Sequence, residues 1–366
     1  MFEAPPLPKL QEAIADPSNP IGMRMRAAYF LRQAYENYKK NQDDTEEPPT
    51  DNLTKEIDEI VIETLSKGLA NPKHGSLLRH EFAYVMGQLR DARCCPTIEQ
   101  ILLDEQDCIM VRHECGEALG AIGSMSSLPI LKKAIQDNPD RPEIGQTCQL
   151  AVDYMNWKAN GGEENDGDQP MVCACMLSPY SSVDPAPPHP QHVNMTTEEI
   201  GNILRDEDKP LFERYRAMFS LRNRGGSDSV KELGRALLED TSSALFRHEV
   251  AYVLGQMQHN DSLEALAESL KRKDEHHMVR HESAEALGAI EGRWDEVEAI
   301  LEIFLKDEDD VIRESAIVAL DAADYWGHSC SSNREEEEVV EESKDVDAYD
   351  SFADKQTFVK VKAQKV

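Results

Sequence analysis

Apolar residues recur at intervals of three and four along most of the chain, and few segments alternate apolar with polar positions. This spacing puts the apolar side chains on one face of an α-helix. Helical stretches such as 262–270 and 295–305 follow turns, the first of which contains Asn and Asp. The pattern therefore predicts an all-α protein built from short helices joined by tight turns.

Two of these helical patterns are repeated in the second part of the chain. Residues 79–88 (RHEFAYVMGQ) match 247–256 (RHEVAYVLGQ), and residues 112–122 match 280–290, each pair at an offset of 168 residues. Within each part, the two patterns are 33 residues apart. Two helices per unit of about thirty residues is the design of an α-solenoid, and this period resembles short HEAT repeats.

An earlier unit matches at a different offset. Residues 26–32 (RAAYFLR) match 216–222 (RAMFSLR), which lie 190 residues further along. The first part of the chain therefore contains an insertion, which we place in the acidic, proline-containing stretch near 41–58.

These matches predict eight short HEAT-like helical hairpins in two pseudo-symmetric halves. The N-terminal half is expected to span residues 1–157 and the C-terminal half 196–327, with four repeats in each. Between them, 158–195 reads as a linker, acidic and glycine-rich at first and proline-rich later. The acidic composition of 328–366 predicts a disordered tail.

Charge and targeting signals limit the possible partners and location. The formal net charge is −31, which argues against nucleic acid and favours a cationic substrate or a basic protein surface. The N-terminal residues lack the basic start and apolar core of a signal peptide, and no apolar run is long enough to span a membrane. The eight cysteines form no regular framework. We expect a cytoplasmic monomer with reduced thiols, and a nuclear location is also compatible.

The candidate chemistry lies in the dipeptide His-Glu, which occurs four times, each time after an arginine. Four imidazoles and four carboxylates are enough ligands for two transition-metal ions, and they suit iron, with zinc and manganese as competitors. The eight candidate metal ligands are His80, Glu81, His113, Glu114, His248, Glu249, His281 and Glu282.

A structural role is the alternative explanation, because an arginine and an acid near the start of the second helix are common in short HEAT repeats. However, only the middle two units of each half keep the pair. The fourth units have Glu314-Ser315 and Gln146-Thr147 at these positions. A packing device would be expected in every unit, so the selective pattern favours a site.

Helix geometry also favours a site. Adjacent parallel helices lie roughly 10 Å apart, so the pairs of one half can lean into one cleft. Two halves facing each other would bring four clustered anions together, and these would repel each other strongly without a cation. We therefore expect a dinuclear metal centre between the halves.

Four His-Glu motifs in two HEAT-like halves, with a linker containing SVDPAPP at 182–188, closely resemble the deoxyhypusine hydroxylase family. The similarity covers roughly residues 20–327 and includes all eight motif residues. The insertion, the acidic start of the linker and the acidic tail depart from the compact family pattern. The resemblance implies a non-haem monooxygenase that binds two Fe²⁺ ions and uses O₂. Its substrate would be the deoxyhypusine side chain of eukaryotic translation initiation factor 5A, which it would convert to hypusine.

The resemblance also implies roles for individual residues. The four histidines would be iron ligands, with Glu114 and Glu282 as carboxylate ligands. Glu81 and Glu249 would face the substrate amines as catalytic and substrate-binding residues. The sequence does not separate these two pairs of acids, so all four stay in the candidate metal set.

Two other function classes stay open on the residues alone. A metal-free HEAT-repeat scaffold would bind a protein on its concave surface and use the His-Glu pairs for hydrogen bonds between repeats. A dinuclear hydrolase would hold zinc or manganese and lack oxygen-dependent chemistry. The iron content and visible colour of the purified protein would discriminate among these.

Overall fold

The structure is a computed structural model that describes residues 5–43, 52–162 and 180–330 of the 366-residue chain. Within these ranges it contains sixteen α-helices and no strand, which confirms the predicted all-α class. The helices are α1 (Leu7–Ala15), α2 (Ile21–Asp43), α3 (Asn52–Ala70), α4 (Gly75–Leu89), α5 (Cys95–Leu103), α6 (Ile109–Ile122), α7 (Leu128–Asp137), α8 (Pro142–Ala159), α9 (Thr197–Arg205), α10 (Leu211–Arg224), α11 (Gly226–Glu239), α12 (Ala244–Met257), α13 (Leu263–Lys271), α14 (His277–Gly288), α15 (Trp294–Phe304) and α16 (Asp310–Cys330).

Successive helices pack in pairs, α1 with α2 through α15 with α16, and form the eight predicted hairpins. The even-numbered helices also pack side by side, in the order α2, α4, α6, α8 and then α10, α12, α14, α16. Helix α8 contacts α10 and α12, and α16 contacts α2 and α4. The even-numbered helices therefore form a closed inner ring, and their inward faces surround a common centre.

The repeated glycine of each motif allows neighbouring inner helices to approach closely. A Cβ atom at Gly87 would lie 2.9 Å from the Cα atom of Ala118, and one at Gly255 would lie 3.0 Å from the Cα atom of Ala286. Real side chains do not tolerate such contacts in a close-packed interior. Glycine is therefore required where α4 meets α6 and where α12 meets α14.

The arginine of each motif holds neighbouring helices together. The guanidinium of Arg79 donates to the Leu69 carbonyl at the end of α3 and, through two nitrogens, to Asp107 before α6. It thereby satisfies a carbonyl at a helix end that has no partner within its own helix. The guanidinium groups of Arg112 and Arg280 donate to the ends of the preceding helices in the same way, and Arg247 donates to the Asp240 carbonyl just after α11.

The predicted insertion near 41–58 is helical at both ends, because α2 extends to Asp43 and α3 begins at Asn52. Its middle, 44–51, lies outside the described residues, as do 163–179 of the predicted linker and 331–366 of the predicted tail. The division into halves at 157 and 196 stays a prediction. Among the helices described, none combines the length and apolar character needed to cross a membrane.

Candidate metal centre

Four imidazoles meet at the centre of the inner ring, one each from α4, α6, α12 and α14. The ring centroids of His80 and His113 are 5.3 Å apart, and those of His248 and His281 are also 5.3 Å apart. Between the halves, His113 lies 5.0 Å from His248, and His80 lies 5.2 Å from His281. All four side chains are buried. The structure thus brings together the histidines that the sequence pattern singled out.

The motif carboxylates surround these imidazoles. Glu114 Oε2 lies 3.1 Å from Nε2 of His80, which stands on the neighbouring helix. In the other half, Glu282 Oε2 lies 3.7 Å from Nε2 of His248. Each acid therefore approaches the histidine of the adjacent repeat, as expected for a pseudo-twofold arrangement.

A cavity adjoins the cluster, and its walls carry six glutamates and three tyrosines. Four of the glutamates belong to the His-Glu motifs. The other two, Glu117 and Glu285, were missed in the sequence analysis, although each lies four residues, about one helical turn, after a motif histidine. Their presence at the same place in both halves was the signal that could have found them.

The tyrosines of the cavity wall were also missed. Tyr84 and Tyr252 stand at equivalent positions in the two halves, and their hydroxyl oxygens are 2.9 Å apart. Tyr29 donates a hydrogen bond of 2.6 Å to Oε2 of Glu81. Tyr84 and Tyr252 are the same residue at matching positions of the two halves, whereas the residue that matches Tyr29 is Phe219.

Burial and mutual repulsion dominate the electrostatics of the cavity. Burial raises the pKa of Glu117 and of Glu249 well above the usual range of a glutamate, and neighbouring carboxylates raise both further. Burial, followed by the neighbouring imidazoles, lowers the pKa of His113 and of His248 well below its usual value. For His80, burial opposes the charge, but the Glu114 and Glu81 carboxylates outweigh it and raise the pKa.

The residues present fit a metal ion. Neither ring nitrogen of His113 or of His248 has a hydrogen-bond partner among the described residues, although both rings are buried. Buried polar atoms are almost always satisfied, and a metal ion would accept the imidazole lone pair. Three groups have ligand atoms within 4.8 Å of one another, namely His80 with His113 and His248, His248 with His281 and Glu282, and His113 with Glu114 and Glu117.

A segment of the predicted linker packs over the tyrosine side of the cavity. We call residues 182–184 the strap. Gln88 accepts a hydrogen bond of 2.8 Å from the strap backbone, and Gln256 donates to a strap hydroxyl and to the Tyr252 hydroxyl, each at 2.9 Å. The guanidinium of Arg222 donates to both carboxylate oxygens of the strap aspartate. The linker motif is thereby connected to the cavity wall.

Comparisons with known proteins agree with this architecture. A family model described as HEAT repeats matches residues 62–148, 197–276 and 246–321, which together exceed half of the chain. The chain is 38% identical over 210 residues to deoxyhypusine hydroxylase of Saccharomyces cerevisiae, covering 57% of this chain and 58% of that protein. It is 41% identical over 222 residues to deoxyhypusine hydroxylase of Mus musculus, covering 60% of each. These alignments thus span less than two thirds of the relatives' length.

A solved structure of human deoxyhypusine hydroxylase in complex with glycerol is similar over a longer stretch. It shares 39% sequence identity with this chain at a TM-score of 0.72, covering 87% of this chain and 96% of that chain. The fold and the site define a HEAT-repeat protein in which two halves build one cavity from paired histidines and glutamates. At this identity and coverage, the chain belongs to the deoxyhypusine hydroxylase family. The resemblance inferred from the sequence motifs is confirmed.

Proposed function

We propose that this chain is a deoxyhypusine monooxygenase. It hydroxylates the deoxyhypusine side chain of eukaryotic translation initiation factor 5A, forms hypusine and uses O₂ as co-substrate. The observation that carries the proposal is a cluster of four buried imidazoles beside a cavity lined by six carboxylates, in a member of this family. We propose a monomer that acts in the cytoplasm, and a nuclear location is also compatible.

Two iron ions are part of the proposal. The four motif histidines would hold them, together with Glu114 and Glu282. The close approach of each of these acids to the histidine of the adjacent repeat, at 3.1 and 3.7 Å, supports this choice of carboxylates. When bound, iron would supply the redox chemistry by which O₂ attacks an unactivated C–H bond.

Glu81 and Glu249 are the proposed substrate-binding and catalytic acids. The substrate side chain carries amines that are cationic at neutral pH, and a buried carboxylate binds such an amine through charge-assisted hydrogen bonds. Two contacts of this kind hold the reacting carbon in one place, which lowers the entropic cost of reaction. Both glutamates are buried, and the low local dielectric strengthens both contacts.

Charge balance supports the same assignment. Six carboxylates in one cavity repel each other unless cations compensate them. Two divalent metal ions and a doubly charged diamine would balance these six groups. Without bound cations, proton uptake must relieve this repulsion, as the raised pKa of Glu117 and of Glu249 indicates.

The test combines an iron assay with a turnover assay. The iron-loaded protein is expected to contain about two irons per chain and to hydroxylate deoxyhypusine-containing factor 5A in an O₂-dependent manner. His113→Ala should lose most of its iron and lower turnover by roughly 100-fold or more, because each metal ion has few protein ligands to spare. His259→Ala, at a partly exposed turn, is the matched control and should retain both.

Three results would contradict the proposal. Full iron occupancy in His113→Ala would contradict the assignment of His113 as an iron ligand. A folded wild-type protein that binds no metal would favour the scaffold. Zinc or manganese with hydrolytic turnover would favour the dinuclear hydrolase.

A further inference from the structure

The pseudo-twofold symmetry of the site is broken at one pair of matching positions. In the match between 26–32 and 216–222, Tyr29 of the first half corresponds to Phe219 of the second. Both residues lie on the inner helix of the first hairpin of their half, α2 and α10. Tyr29 lines the cavity, and its hydroxyl donates to Glu81 Oε2 at 2.6 Å. Phe219 has no hydroxyl to donate.

The side chains around Phe219 do not replace the missing donor. Its ring lies 6.3 Å from the Tyr215 ring and 4.7 Å from the Arg222 guanidinium, measured to ring centroids. Tyr215 is the tyrosine beside Glu249, but its hydroxyl donates to the Leu245 carbonyl, at 3.3 Å.

The two substrate-facing acids therefore have different surroundings. In Glu81, Oε2 accepts from Tyr29, and Oε1 lies 3.5 Å from Nδ1 of His80. Within the part of the chain that the structure describes, Glu249 accepts no hydrogen bond, and it faces the cavity. The Tyr29 hydroxyl tethers Glu81 through Oε2, whereas no tyrosine hydroxyl tethers Glu249.

We propose that Tyr29 is a positioning residue that makes these two acids inequivalent. The Tyr29 hydroxyl tethers Glu81 as the fixed anchor, and Glu249 supplies the dominant contact to a substrate amine. This inference rests on the proposed function and deepens it. Without such a difference, a pseudo-symmetric pair of acids would accept a cationic diamine in two orientations related by the pseudo-twofold axis. A short hydrogen bond to one carboxylate selects one of them.

The proposal ranks the two acids by their effect on binding. Glu249→Gln should weaken substrate binding by roughly tenfold or more, because it removes the carboxylate that pairs most fully with the amine. Glu81→Gln should weaken it by only about threefold, since one oxygen of Glu81 is already committed to Tyr29. Tyr29→Phe should weaken binding by about two- to threefold, no more than Glu81→Gln does, because Glu81 is no longer held in position.

The experiment is a double-mutant cycle measured by equilibrium binding. Fluorescently labelled factor 5A in its deoxyhypusine form is titrated with iron-loaded protein under anaerobic conditions, so that no turnover occurs. Tyr29→Phe should couple to Glu81, so that the double variant with Glu81→Gln binds no more weakly than Glu81→Gln alone. Its effect should multiply with that of Glu249→Gln. Iron content should stay at the wild-type level in Tyr29→Phe.

Tyr35→Phe is the matched control. Tyr35 lies on the same helix and donates a comparable hydrogen bond of 2.7 Å to Asp91, a residue outside the cavity. This variant should bind substrate like wild type. In aerobic turnover, Tyr29→Phe should raise KM more than it lowers kcat. A general loss of stability would reduce the amount of active protein and would not raise KM.

Two outcomes overturn the inference. Wild-type affinity in Tyr29→Phe would show that the tether does not matter. If Tyr29→Phe weakens binding by the same factor in the Glu81→Gln and Glu249→Gln backgrounds as in wild type, Tyr29 has only a general structural role. Failure of the proposed function looks different, because wild-type protein would then bind the deoxyhypusine form no better than the unmodified form.

Discussion

Each Arg-His-Glu motif divides structural and chemical roles between adjacent side chains. Arg79 turns away from the cavity to the Leu69 carbonyl and to Asp107, whereas His80 points to the centre of the inner ring. Neighbouring residues on a helix differ in direction by about 100°. One motif can therefore hold two repeats together and also contribute a candidate ligand.

Asp91 shows how a single carboxylate makes stability depend on pH. It accepts from the side chain and backbone of Arg93 and from the Tyr35 hydroxyl. The hydrogen bonds from Arg93, followed by that from Tyr35, lower the pKa of Asp91 below its usual value. Because the pKa of Asp91 is lower in the folded state, its ionised carboxylate stabilises the fold at every pH above the unfolded-state pKa, which is about 3.9 for Asp. That contribution is lost as pH falls through the lower folded value.

Asp91→Asn should therefore melt below wild type at neutral pH, and the difference in melting temperature should shrink as pH falls below about 4. Thermal melts followed by circular dichroism from pH 7 to pH 2 would measure this. Asp208→Asn, at an exposed turn position, is the control and should follow wild type throughout. A difference that stays constant down to pH 2 would contradict the argument.

At the scale of elements, the strap is the part of the linker that reaches the cavity wall. Gln256 links the strap to Tyr252 through two donated hydrogen bonds. Gln256→Ala should detach the strap from α12 and cost about 1–3 kcal/mol of folding free energy, because it leaves polar groups without their partner. Faster proteolytic cleavage within residues 180–188 would reveal the loss.

Gln149→Ala provides the matched control, because Gln149 is an exposed glutamine that bonds to Asp153 on its own helix, α8. This variant should be cleaved at the wild-type rate. If Gln256→Ala also shows the wild-type rate, the remaining contacts of Arg222 and Gln88 hold the strap without Gln256.

At the scale of the whole molecule, the inner ring is closed by protein contacts on both sides of the site. Arg26 on α2 pairs with Asp321 on α16, and Ser243 before α12 donates to Gln146 on α8 at 2.7 Å. These contacts join the halves independently of any bound metal. A metal that binds only the folded ring would add stability by mass action.

Chelation should therefore lower the melting temperature by roughly 5–10 °C and leave the radius of gyration unchanged within error. Chelation combined with Asp321→Ala should enlarge that radius, because one closing contact and the metal are both lost. Small-angle scattering with a parallel thermal melt measures both quantities. Asp310→Ala is the control on the same helix, since Asp310 is exposed and pairs locally with Arg313. If chelation alone opens the molecule, the metal holds the halves together and the protein contacts do not.

The sequence determined the repeated part of this protein. Helical periodicity and internal matches predicted an all-α chain of eight hairpins, and the repeated His-Glu pairs predicted which imidazoles and carboxylates would meet. These features could be predicted because equivalent repeats use the same residue types at the same helix positions. The residues that packing and the site require therefore recur at matching positions of the sequence.

Only the tertiary structure decided the parts that depend on contacts between distant segments. Closure of the inner ring depends on α16 packing against α2 and α4, and no local pattern encodes that contact. Residues 182–184 read as linker, yet they pack over the cavity because Gln88, Gln256 and Arg222 offer hydrogen bonds there. The residue that matches Tyr29 in the second half is Phe219, so the repeat could not mark the Tyr29 hydroxyl. Its role follows from the 2.6 Å that separate its hydroxyl from Glu81, a distance set by two helices packed side by side.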